Sequence, residues 1–313
     1  MAEAIIVHTN NGILVTDKRA GALVSRLHAD AANAGVDLHI RSVKLPALSH
    51  GYKNLFRSTR NAGTFSYKTD YGWYHAEKQN TLFIEHSVID QSFGYFFDSA
   101  GLFSDSTLSR SRWRPVAEFD VESLVMTRFG WEAWSGGDCN GPVLVCLQRP
   151  KDCSVKPRYF PHTEDGVDVR VTLLKLLAEH SADSLLVRVH PKDGEFNPPI
   201  WRDNWRLDRS GEEFNTIVKR CRAVVTISST CASEAVLLGM PVATFGTGVF
   251  TGHNITLDCS SDPSLVAHLP DWRPDVSRCR AYVSRVLERH LMSFEGPYRY
   301  PCAEFSEWLT RCK

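Results

Sequence analysis

From Val143 onward, short apolar runs and segments of helical period take turns, and this alternation constrains the fold more than any other feature of the chain. VLVCL at 143–147 is followed by a helical pattern over 167–180, LLVRV at 185–189 and a helix opened by the capping box Ser210 to Glu213. AVVTI at 223–227 then leads into a helix where Ala232, Ala235, Val236 and Gly239 recur at helical spacing, and PVATF at 241–245 closes the series. Strands that succeed one another through helices pair in parallel, so a parallel sheet with helices on both faces is expected. The first part repeats the theme less cleanly. A strand over 4–8, a helix over 17–34 stopped by Gly35 and a strand over 37–43 precede a loop-rich aromatic stretch, 45–79. Two strand-like runs, LFIEHSVI and GYFFDSAGLF, and a helix over 120–134 capped by Asp120 complete it. The turn formers of SGGDCNGP, 135–142, read as a linker. The expected class is α/β with two Rossmann-like domains, 1–138 and 139–285, and C-terminal helices over 286–313 packing back on the first.

Composition narrows the partners. Of 313 residues, 43% are apolar and 23% charged, enough for two cores. Lysine and arginine number 36, as do aspartate and glutamate, so no global field favours nucleic acid. Nine cysteines without a C-x-x-C pair argue against structural zinc, and their odd number and scatter argue against a disulfide framework. A reducing, cytoplasmic setting fits, and the N-terminus lacks the pattern of a signal peptide.

In parallel sheets, ligands bind beyond the carboxyl ends of the strands. There VLVCL delivers Gln148, Asp152 and Ser154, LLVRV delivers His190 and Pro191, AVVTI delivers Ser228, Ser229 and Thr230, and PVATF delivers Gly246 and Gly248. One hydroxyl caps a helix, and three suggest an anion held at its N-terminus, with a redundant cap as the plainer reading. An imidazole at His190 can donate to a phosphate oxygen whether charged or neutral. Asp152 also fits a turn cap, and Glu234 in the first turn of its helix also fits a dipole partner. FGTGVFTG misses the dinucleotide fingerprint by one residue and no helix follows it, while P-loop and Asp-x-Asp motifs are absent from the sequence. No metal is expected, nor any cofactor.

LVCLQRPKDCSV, LLVRVHPKD and VVTISSTCASEAVLLGMPVATFGTGVFTG, in this order, resemble the bacterial β-Kdo transferases of capsule and lipopolysaccharide biosynthesis. In that family a Gln-x-x-x-Asp-x-Ser strand end, a His-Pro and a Glu-Ala helix with a glycine-rich turn recur. LFIEHSVIDQSFGYFFDSAGLFSDS resembles the segment where the family carries a Glu and an Asp-x-x-Gly turn, here Glu85 and Asp98 to Gly101. The resemblance spans roughly residues 80–256. It implies a GT-B-like glycosyltransferase of capsule or lipopolysaccharide synthesis, with CMP-Kdo on the second domain, a glycan or glycolipid acceptor on the first and retention at the anomeric carbon. It further implies that Asp152 is the nucleophile, Glu85 the acid/base, and Gln148, Ser154, His190, Pro191, Ser228, Ser229, Thr230, Glu234, Gly246 and Gly248 the donor site. Two departures bear on the sugar pocket: Ala232 and Ser233 stand for the family's Gly-Phe, and Phe250 to His253 replace an aromatic turn.

Another CMP-ulosonic acid, such as a sialic acid, suits the same motifs, and a non-catalytic nucleotide- or glycan-binding module of an assembly complex is the alternative outside enzymology. A UDP-sugar epimerase of similar shape lacks a motif of its own. Arginines interleaved with apolar residues after Ser277 suit either packing on the first domain or peripheral contact with the inner membrane.

Overall fold

Two six-stranded sheets organise the chain. The computed structural model describes residues 2–8, 20–42, 63–67, 81–89, 94–100, 103–113, 120–150, 152–164, 166–193, 196–293 and 302–311. They divide into two compact units, 1–111 with 285–313, and 112–284.

In the first unit, β1 (Ala2–His8) pairs in parallel with β2 (Val36–Ser42) and with β3 (Gly63–Tyr67), and α1 (Ala20–Asn33) connects β1 to β2. Strand β4 (Thr81–His86) adds in parallel to β3, and β5 (Gly94–Asp98) turns back antiparallel to β4. The stretch expected to be loop over 45–79 thus contains β3, a central strand. Its sequence GTFSY offers no run of β-branched residues, and its pairing comes from neighbours on both sides.

The second unit starts with the short α2 (Thr107–Arg110) already behind it. Helix α3 (Val121–Phe129) is capped by Asp120, whose side chain accepts from Ser123 N, and ends at Gly130 in the left-handed region, φ 64°. Thereafter come β6 (Val143–Cys146), α4 (Val169–His180), β7 (Leu185–Arg188), β8 (Trp205–Leu207), α5 (Phe214–Val218), β9 (Ala223–Thr226), α6 (Cys231–Leu237), β10 (Val242–Thr244) and β11 (Leu257–Asp258), in which the alternation predicted from sequence is present and β8 and β11 are additional strands. The order across the sheet is β8-β7-β6-β9-β10-β11, all parallel. Counted within the unit this is 3-2-1-4-5-6, the doubly wound nucleotide-binding order, whose direction of winding reverses between β6 and β9. Val145 and Val225 from the strands, and Phe245 just past β10, meet Leu173 and Leu177 of α4 in the core. Each such side chain contributes about 1.5–3 kcal/mol on burial.

Three sequence expectations give way here. The unit boundary lies at 111/112, where 138/139 was expected. The segment 135–142 is no free linker: Gly136 N donates to Leu238 O at 2.7 Å and Asp138 N to Lys219 O at 3.0 Å. Gly141 lies so close to the backbone that a Cβ there would stand 2.0 Å from Arg220 O, so this glycine serves close packing, while Gly136 supplies a left-handed turn at φ 72°. The capping box also fails. Gly211 adopts φ 68°, which no first-turn residue can, Ser210 Oγ donates to Asp208 Oδ1, and α5 starts at 214 without a side-chain cap.

At the C-terminus, α7 (Val276–Arg285) passes through a π-helical turn, 286–290, into β12 (Leu291–Ser293), which pairs antiparallel with β5. Of the helices expected toward the C-terminus, one is α7 and the other α8 (Ala303–Arg311), whose Phe305, Trp308 and Leu309 are buried, while the strand β12 between them was not expected. A buried polar cluster locks this segment to β5. Asp98 accepts from Thr107 N, Thr107 Oγ1 and Ala100 N, each at 2.8 Å, and Glu304 accepts from Ser99 N at 3.1 Å. Burial pushes Asp98 up to about 6 and His290, which faces it at 3.4 Å, down to about 4. The Asp98 turn is thus a structural anchor for the chain end, and Gly101 lies outside the described residues.

Candidate functional site

The strands on either side of the winding reversal, β6 and β9, send their following loops into one hydrogen-bond network. Gln148, buried just past β6, accepts from Ser228 N at 2.6 Å and from Thr226 Oγ1 at 3.3 Å. Its amide donates to Ser154 Oγ at 2.8 Å, and Ser154 Oγ in turn donates to Asp152 Oδ1 at 2.9 Å. Ser228 Oγ closes the circuit by donating to Ser154 O at 3.1 Å. Four of the residues singled out in sequence, Gln148, Asp152, Ser154 and Ser228, thus form one assembly at the place where open α/β sheets bind ligands. Asp152 Oδ1 also accepts from Ser154 N at 3.0 Å, so the turn-capping role and a fixed carboxylate coexist in one side chain.

His190 follows β7, the next strand. Its Nδ1 accepts from Lys192 N at 3.1 Å, which assigns the proton of the neutral ring to Nε2 as a donor. Burial lowers its pKa below the usual histidine value, with the charges of Asp193 and Asp152 pulling the other way and those of Arg149 and Lys192 adding to the fall. Pro191 is exposed beside it. Asp193 is held by Arg149 at 3.2 Å and Arg170 at 3.4 Å, which keeps the His-Pro turn in shape.

The hydroxyl triplet divides its labour. Ser228 is spent on the network, Ser229 Oγ accepts from Cys231 N at 3.3 Å, and Thr230 occupies the cap position of α6 in helical conformation with no side-chain cap bond. Ser229, Thr230 and Glu234 are partly exposed. The glycine turn after β10 is already occupied: Gly246 N donates to Ile227 O, Thr247 N to Tyr159 O and Gly248 N to Thr251 Oγ1. A Cβ on Gly246 would stand 2.6 Å from Tyr159 O, so this glycine permits close packing of two loops. Glu85 lies on β4 opposite Phe96, and its side chain is outside the described residues.

Sequence reasoning passed over several neighbours. Arg149, between Gln148 and Asp152, reads as a solvated loop charge until Asp193 is seen to hold it. Thr226, inside β9, reads as core and turns out to bridge Cys146 O and Gln148. Cys146 and Cys231, far apart in the chain, meet below Ser229. A hydrogen bond from Cys146 lowers the pKa of the Cys231 thiol, with Ser229 adding to the effect, and raises that of Cys146. Ser233, at the departure from the family pattern, bonds Tyr282 Oη at 2.9 Å, and His253 stacks on Trp113 with ring centroids 3.5 Å apart. Among the described residues no group of three or more His, Cys, Asp or Glu is placed to hold a metal, and no helix is long and apolar enough to cross a membrane.

Residues 209–294 match the family model of capsule polysaccharide biosynthesis proteins, in keeping with the resemblance read from the motifs. Two solved structures from Thermosulfurimonas dismutans are similar to the chain. One is KpsC, beta Kdo 2,7 transferase, with TM-score 0.55 and 14% identity over 97% of this chain and 98% of that one. The other is KpsC, beta Kdo 2,4 transferase, with TM-score 0.51 and 15% identity over 88% and 89%. At such identities the likeness establishes the fold, and it carries the expected GT-B-like α/β class. No curated protein matches the chain in sequence.

Proposed function

We propose that the chain is a glycosyltransferase of capsule or lipopolysaccharide synthesis that moves Kdo from CMP-Kdo to a glycan or glycolipid acceptor with retention. The observation that carries the reading is the network joining Gln148, Asp152, Ser154 and Ser228 across the winding reversal, with His190 on the adjoining strand end. The family match and the two KpsC folds support the chemistry. The CMP phosphate lies against Ser229, Thr230 and the Nε2–H of His190. Asp152 attacks the anomeric carbon as the bond to the phosphate oxygen breaks, and CMP leaves with that electron pair. The acceptor hydroxyl then displaces Asp152, which returns as a carboxylate, while Glu85 takes the proton. The role of Glu85 rests on the motif resemblance alone. Gly246 and Gly248 act by shaping the loop at Tyr159 and Phe250, since their amides are already bonded.

Replacing His190 by Ala removes a charge-assisted bond worth roughly 1.5–3 kcal/mol, so the Kd for CMP rises about 10- to 100-fold. Calorimetric titration of CMP measures this, and an unchanged Kd removes His190 from the site. Transfer from CMP-Kdo persists in EDTA, because a single phosphate needs no divalent clamp when a helix end and an imidazole hold it. A rate lost in chelator and restored by magnesium contradicts this. Parallel assays with CMP-sialic acid separate the two ulosonic donors, and absence of turnover with both, despite CMP binding, returns the chain to the class of binding modules.

A further inference from the structure

At the outer edge of the second unit's sheet, beside β8, lies a cavity of about 470 Å³ walled by Pro198, Trp201, Trp205, Leu207, Arg206 and Arg209. Nothing in the proposed transfer uses it. Its size falls within the usual range for a small-molecule site. Trp201 is 42% exposed, whereas large apolar side chains are normally covered, and among the described residues only Met126 shares that exposure. The indoles of Trp201 and Trp205 stand 6.0 Å apart at 79°, so the buried Trp205 fixes the orientation of the exposed ring. Trp205 Nε1 is buried and finds no acceptor among the described residues, an unpaired donor at the cavity wall.

The wall is rigidly built. Arg202, next to Trp201, donates to Ser181 O at 3.0 Å and to Ala178 O, and Asn204 donates to Ala182 O and Asp183 O. Those bonds pin the loop 201–204 to the end of α4. Arg206 and Arg209 are exposed, and among the described residues neither has a carboxylate within ion-pair distance, although Arg188, Arg202, Arg220 and Arg222 in the same unit are all engaged.

The geometry points to a second carbohydrate site, which binds an acidic oligosaccharide by stacking sugar rings on Trp201 and pairing their carboxylates with Arg206 and Arg209. A planar indole offers the apolar C–H face of a pyranose ring a matching surface at little entropic cost, and a guanidinium fork matches a carboxylate in two-bond geometry. Nucleotides are served by the strand ends at the winding reversal, so the cavity at the sheet edge suits a longer chain held at a distance from the reacting carbon. That the chain is the acidic glycan being built rests on the proposed transfer of an ulosonic acid, whereas the chemistry of the cavity does not.

The test is calorimetric titration of the full chain with tetragalacturonate and with α2,8-linked tetrasialate, against maltotetraose as neutral control and tetraglutamate as peptide control. The carboxylated tetramers bind, and both controls bind at least about tenfold more weakly. Trp201→Ala, and separately Arg206→Gln with Arg209→Gln, weaken the tetramers about tenfold or more while CMP affinity stays within about twofold. Absence of binding by both tetramers, unchanged affinity in the variants, or equal binding of maltotetraose or tetraglutamate overturns the site. Retained tetramer binding in a chain that fails to bind CMP leaves this site standing and removes the proposed donor, and the reverse result removes this site alone.

Discussion

Asp152→Asn is expected to lower transfer by about a thousandfold or more while leaving the Kd for CMP within about threefold. Asparagine is the informative change. Its Oδ1 can still accept from Ser154 N and Ser154 Oγ, the bonds that measure 3.0 and 2.9 Å, so the loop keeps its shape. What is lost is the negative oxygen needed to stabilise an oxocarbenium-like transition state and capture the anomeric carbon. Asp152→Ala confounds the two effects, because it also releases Ser154 and through it Gln148. Steady-state turnover with CMP-Kdo, together with CMP titration of the same variant, separates chemistry from binding. Wild-type turnover in Asp152→Asn rules out the double displacement.

Gln148→Leu is the second large effect, and it falls on stability and binding together. The side chain is 6% exposed and serves Ser228 N, Thr226 Oγ1 and Ser154 Oγ at once. Leucine of similar size leaves the Ser228 amide and the Thr226 hydroxyl buried with a partner removed, at about 1–3 kcal/mol for each group stranded. A loss of about 3 kcal/mol lowers Tm by roughly 6–12 °C in a unit of this size, and CMP affinity falls with it because the hydroxyl turn is no longer held. Gln148→Glu restores the acceptor and distinguishes a lost bond from poor packing: its Tm recovers in part if the bond matters. A Tm within about 1 °C of wild type in Gln148→Leu removes the network as the scaffold of the site.

The second unit was legible because its strands are brief apolar runs bounded by turn formers, so VLVC, LLVR, AVVT and VAT each end at a side chain that the sheet then presents. Their grouping followed from parallel order alone. What escaped was set by tertiary context. Strand β3 is stabilised by β1 and β4 on either side, and no local pattern marks it. The Gly-rich segment 135–142 has the composition of a linker, but its amides and its missing Cβ atoms belong to close packing against Arg220, Cys221 and Leu238. Ser210 and Glu213 have the spacing of a cap, yet Asp208 captures the serine and Gly211 turns the chain away. At the site, Gly246 and Gly248 are donor-site residues by family resemblance, and the amides of their turn are already taken by three carbonyl or hydroxyl oxygens, which no local pattern announces. The meeting of Cys146 with Cys231 pairs residues 85 positions apart, as 231 minus 146, which no local motif encodes.

The central claim is that the second unit holds a CMP-activated sugar at the reversal between β6 and β9. A crystal structure of the chain with CMP tests it directly. The phosphate is expected within hydrogen-bond distance of Ser229 or Thr230 and of His190 Nε2, with the Asp152 carboxylate facing the side from which the sugar departs. CMP bound in the unit of β1 to β5, or a site at β6 and β9 that accepts a uridine sugar diphosphate in preference to CMP, contradicts it.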